Sequence, residues 1–262
     1  MKIVKLLVVA LLICSPAFAE TGFLDRAVTL KGKTYRYQVY VPTDYTPTKM
    51  WPIIVYLHGN GRQGDDGLRQ TDAEFANSIR QNRSLFRAIV VFPQASVGTR
   101  WLFSEMEELV VVELDHTTAE FSSDSRRIYL TGFSMGATGA YRIAYRWPNK
   151  FAALVAVAGR IEAGSSYTAQ VTEIDRQTNP FVAAPDPFAS LALRIKHIPI
   201  WIFHGDADET VPVEQSRRFL AALKKAGADV RYTEYPGANH VGSAQKAYAE
   251  TDMIGWLLKQ HR

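Results

Sequence analysis

A serine flanked by glycines, in Gly132-Phe133-Ser134-Met135-Gly136, follows the apolar run Arg127–Thr131 and opens an amphipathic stretch that begins at Met135. A G-x-S-x-G between a strand and a helix is a turn so sharp that the serine is strained, and the glycines leave room for neighbouring backbone. The turn lifts the Ser134 hydroxyl above a sheet edge and sets the Met135 N–H at a helix N-terminus, where a developing oxyanion is stabilised. That is the chemistry of an acyl-transfer nucleophile, and a serine hydroxyl needs a base beside it. Downstream, His204-Gly205-Asp206-Ala207-Asp208-Glu209-Thr210-Val211-Pro212 follows the run Ile198–Phe203, and Pro236-Gly237-Ala238-Asn239-His240 follows Asp229–Tyr235. Serine, acid and histidine in that order, each just past a strand, make His240 the expected general base and place its acid among Asp206, Asp208 and Glu209.

The elements that must hold these groups alternate along the chain. Tyr35–Val41 alternates like an edge strand, whereas Trp51–Leu57 and Ala88–Phe92 are continuous apolar runs, as expected of strands buried on both faces. Arg127–Thr131, Ala153–Ala158, Ile198–Phe203 and Asp229–Tyr235 extend the series. Between and after them, Ala73–Asn82, Met106–Phe121, Met135–Trp147, Val213–Ala226 and Ala244–Gln260 read as amphipathic helices. This is an α/β pattern: a mostly parallel sheet with helices on both faces. One interval breaks it. Arg160–His197 is rich in Gly, Ser and Pro and reads as an irregular excursion with at most a short helix. It leaves a strand's carboxyl end, where such sheets place their sites, so a cap-like insertion over residues 160–197 and a plain surface loop are both open.

HGxxDxxVP and a terminal G-x-x-H after successive strands resemble the late-chain signature of α/β hydrolases, especially the dienelactone hydrolase, feruloyl esterase and polyhydroxybutyrate depolymerase-like groups. The similarity runs over most of the chain and implies the α/β-hydrolase fold. In that pattern the acid is the third residue after the glycine, which selects Asp208; Asp206 then reads as a loop-structuring residue. Where dienelactone hydrolases carry cysteine this sequence has Ser134. The string His58-Gly59-Asn60-Gly61 with the later Gly64-Asp65-Asp66-Gly67 looks like exported hydrolases labelled predicted peptidases or phospholipase/carboxylesterases. The resemblance puts a second oxyanion donor on the backbone N–H of Asn60, beside Met135. His58 rivals His240 as base, but its place beside the oxyanion loop suits a supporting hydrogen bond. Trp101 is expected either to line the substrate pocket or to join the core, and Glu105, Glu107 and Glu108 to form the solvated start of a helix.

Lys2 and Lys5, the apolar run Leu6–Ile13 and Ala17-Phe18-Ala19 read as a signal peptide over residues 1–19, with residues 20–262 as one hydrolase domain and export to the periplasm or medium. Cleavage there removes the sole cysteine, Cys14, and lowers the formal charge from +4 to +2. No basic stripe interleaved with aromatics points to nucleic acid, no later run is long enough to span a membrane, and no obligate protein partner is implied. His116, His197, His204 and His261 lack partners at a familiar ligand spacing, so neither metal nor cofactor is expected. The expected function is hydrolysis of carboxylic esters, feruloyl, acetyl or other small or polysaccharide-linked ones, through an acyl-enzyme. A prolyl-oligopeptidase-like peptidase is the rival enzyme, although such proteins normally carry a large extra domain that no segment here resembles. A non-catalytic binding module on the same fold is the non-enzyme alternative.

Overall fold

The computed structural model describes residues 20–162 and 172–262. The expected leader over 1–19, and the part of the excursion between 163 and 171, lie outside them. Eight strands form one sheet in the order β1-β2-β4-β3-β5-β6-β7-β8. They are β1 (Gly22–Leu30), β2 (Lys33–Val41), β3 (Trp51–Leu57), β4 (Ile89–Phe92), β5 (Ser123–Phe133), β6 (Ala153–Val157), β7 (Ile200–Gly205) and β8 (Val230–Tyr235). The pairings of β2 with β1 and with β4 are antiparallel, and every pairing from β4 to β8 is parallel. This is the α/β-hydrolase fold. The carboxyl ends of β3 to β8 therefore share one edge, and the loops after β3, β4, β5, β7 and β8 meet there.

The helices are α1 (Glu74–Gln81), α2 (Ser104–Glu120), α3 (Met135–Arg146), α4 (Glu173–Thr178), α5 (Pro187–Ile195), α6 (Glu214–Lys225), α7 (His240–Ala249) and α8 (Thr251–Leu257). Strand periodicity divides the core between the two faces. Ile53, Val55 and Leu57 of β3 join a cluster with residues of α2, α3, α5 and α6. Ile54 and Tyr56 point the other way, into a cluster with residues of α1, α7 and α8. All seven residues of β3 are buried, which is why it reads as an unbroken apolar run.

Three elements differ from expectation. β1 pairs with β2 through the two-residue turn Lys31-Gly32, where both φ angles are positive (50° and 81°), the twist a tight hairpin needs. Its half-exposed residues carry little alternation, so it was not expected. The final helix is two: Glu250 takes an extended conformation between α7 and α8, and both halves still feed Tyr248, Met253 and Trp256 into one core. The described part of the excursion holds α4, a 3₁₀ turn over Pro180–Ala183, and α5, rather than at most one short helix. Pro187 stands in the first turn of α5 and Asp186 caps it, accepting from the Ala189 N–H at 3.0 Å. Phe188, Leu191 and Ile195 then bury α5 against the domain core.

Candidate active site

The turn after β5 explains both glycines. A Cβ at Gly136 would lie 1.9 Å from the Leu57 carbonyl oxygen, and one at Gly132 would lie 2.4 Å from the Gly136 carbonyl carbon. The first turn of α3 thus presses on the end of β3, and no side chain fits at either place. Ser134 is forced to φ 55°, ψ −116°, a conformation that costs an L-residue free energy and persists only where surroundings over-determine it. Its N–H donates to the Val157 carbonyl at 2.9 Å. The N–H groups opening α3, Met135 first, have no acceptor within the helix, which leaves them for an anion above Ser134.

Two loops bring acid and base to this point. Gly205 lies so close to the next loop that a Cβ there would meet the Ala238 carbonyl oxygen at 2.1 Å. The Ala207 N–H donates to that same carbonyl at 3.2 Å, and the Gly237 N–H donates to Asp206 Oδ1 at 2.6 Å. Asp206 is exposed and ties the two loops together, the structuring role expected of it; Glu209 is exposed as well. Asn239 caps α7 by accepting from the Gly242 N–H at 2.8 Å, which sets His240 in the first position of that helix.

The structure brings Ser134, His240 and Asp208 into one row. His240 Nε2 lies 2.8 Å from Ser134 Oγ, and His240 Nδ1 lies 2.6 Å from Asp208 Oδ2. The Phe133 ring packs against the imidazole at 4.8 Å between centroids. Asp208 is buried, and its two oxygens receive four donors. The Thr210 and Val211 N–H groups both reach Oδ1 at 2.8 Å, while Oδ2 takes His240 and, at 3.2 Å, Nε2 of His204. Burial alone would push this carboxyl up, but hydrogen bonds from His204, His240 and the Val211 N–H outweigh it and hold Asp208 well below the usual carboxylate range.

On the other side of Ser134, the loop after β3 is fixed by side chains. Gln63 accepts the Gly61 N–H on Oε1 at 2.7 Å and donates through Nε2 to Asn60 Oδ1 at 2.8 Å, with Met135 Sδ at 3.8 Å. One carboxamide therefore links the residues expected to supply both oxyanion donors. Gln94, after β4, accepts the Gly67 N–H at 2.7 Å and donates to Asp66 Oδ1 at 2.9 Å and to the Arg62 carbonyl at 3.3 Å. His58 is fully buried. Its Nδ1 donates to the Gly59 carbonyl at 2.8 Å and its Nε2 accepts the Ala95 N–H at 3.1 Å, which fixes the neutral tautomer. Burial holds its pKa down at about 4. Both His58 nitrogens are thus engaged by loop backbone, away from Ser134's row. Trp101 is likewise fully buried, against the His58 ring, and donates its indole N–H to the His58 carbonyl at 3.0 Å. Neither side chain reaches the surface, so direct substrate contact by His58 or Trp101 gives way to support of the loop.

Glu107 corrects another expectation. It is fully buried, accepts from Arg142 Nε at 2.7 Å and Arg146 Nη1 at 2.8 Å, and takes the Asn179 amide at 2.9 Å. The acidic run is therefore in part an internal bolt between α2, α3 and the excursion. Among the described residues no group of three or more His, Cys, Asp and Glu side chains could hold a metal ion, and no helix is long and apolar enough to cross a membrane.

Residues 104–262, which hold Ser134, Asp208 and His240, match the prolyl oligopeptidase family. The chain belongs to that family. Within the wider α/β-hydrolase superfamily it is 25% identical over 223 residues to a bifunctional acetylxylan esterase/xylanase of Neocallimastix patriciarum, covering 82% of this chain and 28% of that protein. It is 28% identical over 191 residues to acetylxylan esterase A of Emericella nidulans, covering 64% and 59%. The crystal structure of a thermostable esterase superposes with a TM-score of 0.70 at 28% identity, over 92% of this chain and 63% of that one. The chain thus spans between about a quarter and three-fifths of the length of these two curated relatives.

Gln63, Gln94 and His204 are the residues around the site that sequence reasoning missed. Asn and Gln next to a glycine-rich loop carry no periodic signal. The one available clue was His204 itself, which stands inside HGxxDxxVP and was weighed only as a metal ligand.

Proposed function

We propose that this chain hydrolyses carboxylic esters through an acyl-enzyme on Ser134. The observation that carries this reading is the row from a strained Ser134 through both nitrogens of His240 to a fully donated Asp208, at 2.8 and 2.6 Å. Ser134 Oγ attacks the ester carbonyl carbon as its proton passes to His240 Nε2, and the carbonyl π electrons move to the oxygen. The Asn60 and Met135 N–H groups receive that oxyanion. Asp208 keeps the Nδ1 proton in place and balances the imidazolium without taking the proton itself. The intermediate collapses, the alkoxide leaves with the proton from His240, and water repeats the sequence on the acyl-enzyme to release the acid and restore Ser134.

The substrates fitting this reading are acetyl, feruloyl or other small esters, free or linked to polysaccharide. The names of the two curated relatives support the acetyl and polysaccharide side of this range. Export through a leader over residues 1–19 accords with a polymeric substrate outside the cell. A serine peptidase acting on prolyl peptides is the second reading, favoured by the family match over 104–262. An assay panel of nitrophenyl acetate, methyl ferulate, acetylated xylan and a prolyl amide separates the two. Ester turnover with no amide cleavage is expected; cleavage of the prolyl amide at a higher kcat/KM than every ester would reverse the assignment.

A further inference from the structure

His204 sits behind the acid. It stands in the penultimate position of β7, fully buried, and both of its nitrogens are engaged. Nδ1 lies 2.7 Å from the hydroxyl of Ser216, a buried residue in the first turn of α6. Nε2 lies 2.9 Å from the Val211 carbonyl and 3.2 Å from Asp208 Oδ2. A carbonyl and a carboxylate only accept, so the proton belongs on Nε2, shared between them, and Nδ1 then accepts the Ser216 O–H. The Asp208 oxygen that His240 uses is therefore shared with a second imidazole.

We propose that His204, in the Nε2–H tautomer that the Val211 carbonyl and Asp208 select and that the Ser216 hydroxyl completes, is a positioning residue for Asp208. It aims the shared carboxylate oxygen at His240 and withdraws part of its charge, which tunes the basicity of His240. The inference rests on the Ser134–His240–Asp208 reading above. Among the described residues, the other titratable or charged groups on this side are His240 beyond Asp208, and Glu234 in register on β8, itself paired with Arg217 of α6. Geometry favours a device over mere filling. Both His204 nitrogens are engaged, and the Oδ1 side of Asp208 is already satisfied by two backbone N–H groups. His204 supplies what the backbone leaves open on Oδ2.

The test compares His204→Met, His204→Gln and Ser216→Ala with the wild type on one activated ester, with kcat and KM separated and kcat/KM followed against pH. His204→Met removes the donor while keeping bulk. It is expected to lower kcat by about tenfold to a hundredfold, the worth of one hydrogen bond to a charged group, with KM little changed. With Oδ2 left to His240 alone, the acid limb of the profile moves to higher pH. Gln can place an N–H where Nε2 stands, so His204→Gln recovers most of kcat. Ser216→Ala, a milder change, moves both readouts the same way by less. A folded His204→Met with wild-type kcat and an unmoved acid limb would overturn the proposal; if that variant does not fold, the same result from Ser216→Ala does so. Ser134→Ala runs alongside: activity surviving there would fail the underlying triad reading, a separate outcome from His204 proving dispensable.

Discussion

At Asp208, four donors converge on one carboxylate, and the two acids beside it stay in solvent. Replacing Asp208 by Asn keeps the size and removes the charge that holds the imidazole tautomer, a change that lowered turnover about 10⁴-fold in a well-studied triad. We expect a loss of that order for Asp208→Asn on an activated ester. Asp206→Asn and Glu209→Gln should lose far less, the former mainly through the tie between its loop and Gly237. A dead Asp206→Asn beside an active Asp208→Asn would shift the acid by two residues. Gln63→Ala should loosen Asn60 without removing a donor, and so lower kcat by about tenfold, less than the 10²–10³ of an outright donor loss; steady-state kinetics with unchanged kcat would contradict this. Ser134 and His240 were legible because strand, turn and helix chemistry constrain them locally. The side chains that hold them were not, since Gln94 reaches Gly67 only once the loops after β3 and β4 meet, and His204 reaches Ser216 only once α6 has folded back on β7.

At the scale of elements, α2 shows how an apolar stripe can hide acids. Glu107, Val110, Leu114 and Thr117 recur at helical spacing and are all buried, so Glu107 lies on the core face and not on a solvated one. A charged residue inside such a stripe is the signal that was available and overlooked. Its removal should be costly: Glu107→Ala leaves Arg142, 3% exposed, without its counter-charge. Breaking a buried pair this way typically costs about 3–5 kcal/mol. Urea unfolding should show that loss, while titration of active sites in the folded fraction stays near the wild type. A change under 1 kcal/mol would mean that Arg142 finds its compensation in the Leu102 and Asp175 carbonyls alone. The core strands were readable because β3 and β4 are buried on both faces and apolar throughout. The edge strand β1, half in water, has no such pattern, and the break at Glu250 follows from docking both α7 and α8 on the sheet.

Across the whole molecule, buried titratable groups set how stability varies with pH. His58 ionises at about 4 in the fold and near 6.5 when unfolded, so only the unfolded chain takes up its proton in between. Stability therefore falls as pH drops through that window, by roughly 3 kcal/mol in all. Asp208, held low, adds a further loss as pH falls below the ordinary carboxylate range. Glu113 works in the opposite sense. Both its oxygens are buried without a hydrogen-bond partner, and burial pushes its carboxyl well above the ordinary range. The folded state keeps a proton that the unfolded chain loses above about pH 4.3, so this group subtracts stability as pH rises. Glu113→Leu should raise the neutral-pH urea midpoint, and His58→Asn should flatten the decline between pH 6.5 and 4 whatever its effect at neutrality. A wild-type midpoint that is flat over that interval would contradict the His58 account.

The central claim is that Ser134, activated by His240, is the nucleophile. Intact-protein mass after treatment with a fluorophosphonate, followed by peptide mapping, tests it most directly, with Ser134→Ala checked for folding by circular dichroism. The account predicts one adduct, on the peptide containing Gly132-Phe133-Ser134, and none on the folded Ser134→Ala variant. An adduct that persists in that variant, or a folded wild type that takes no label, would contradict it.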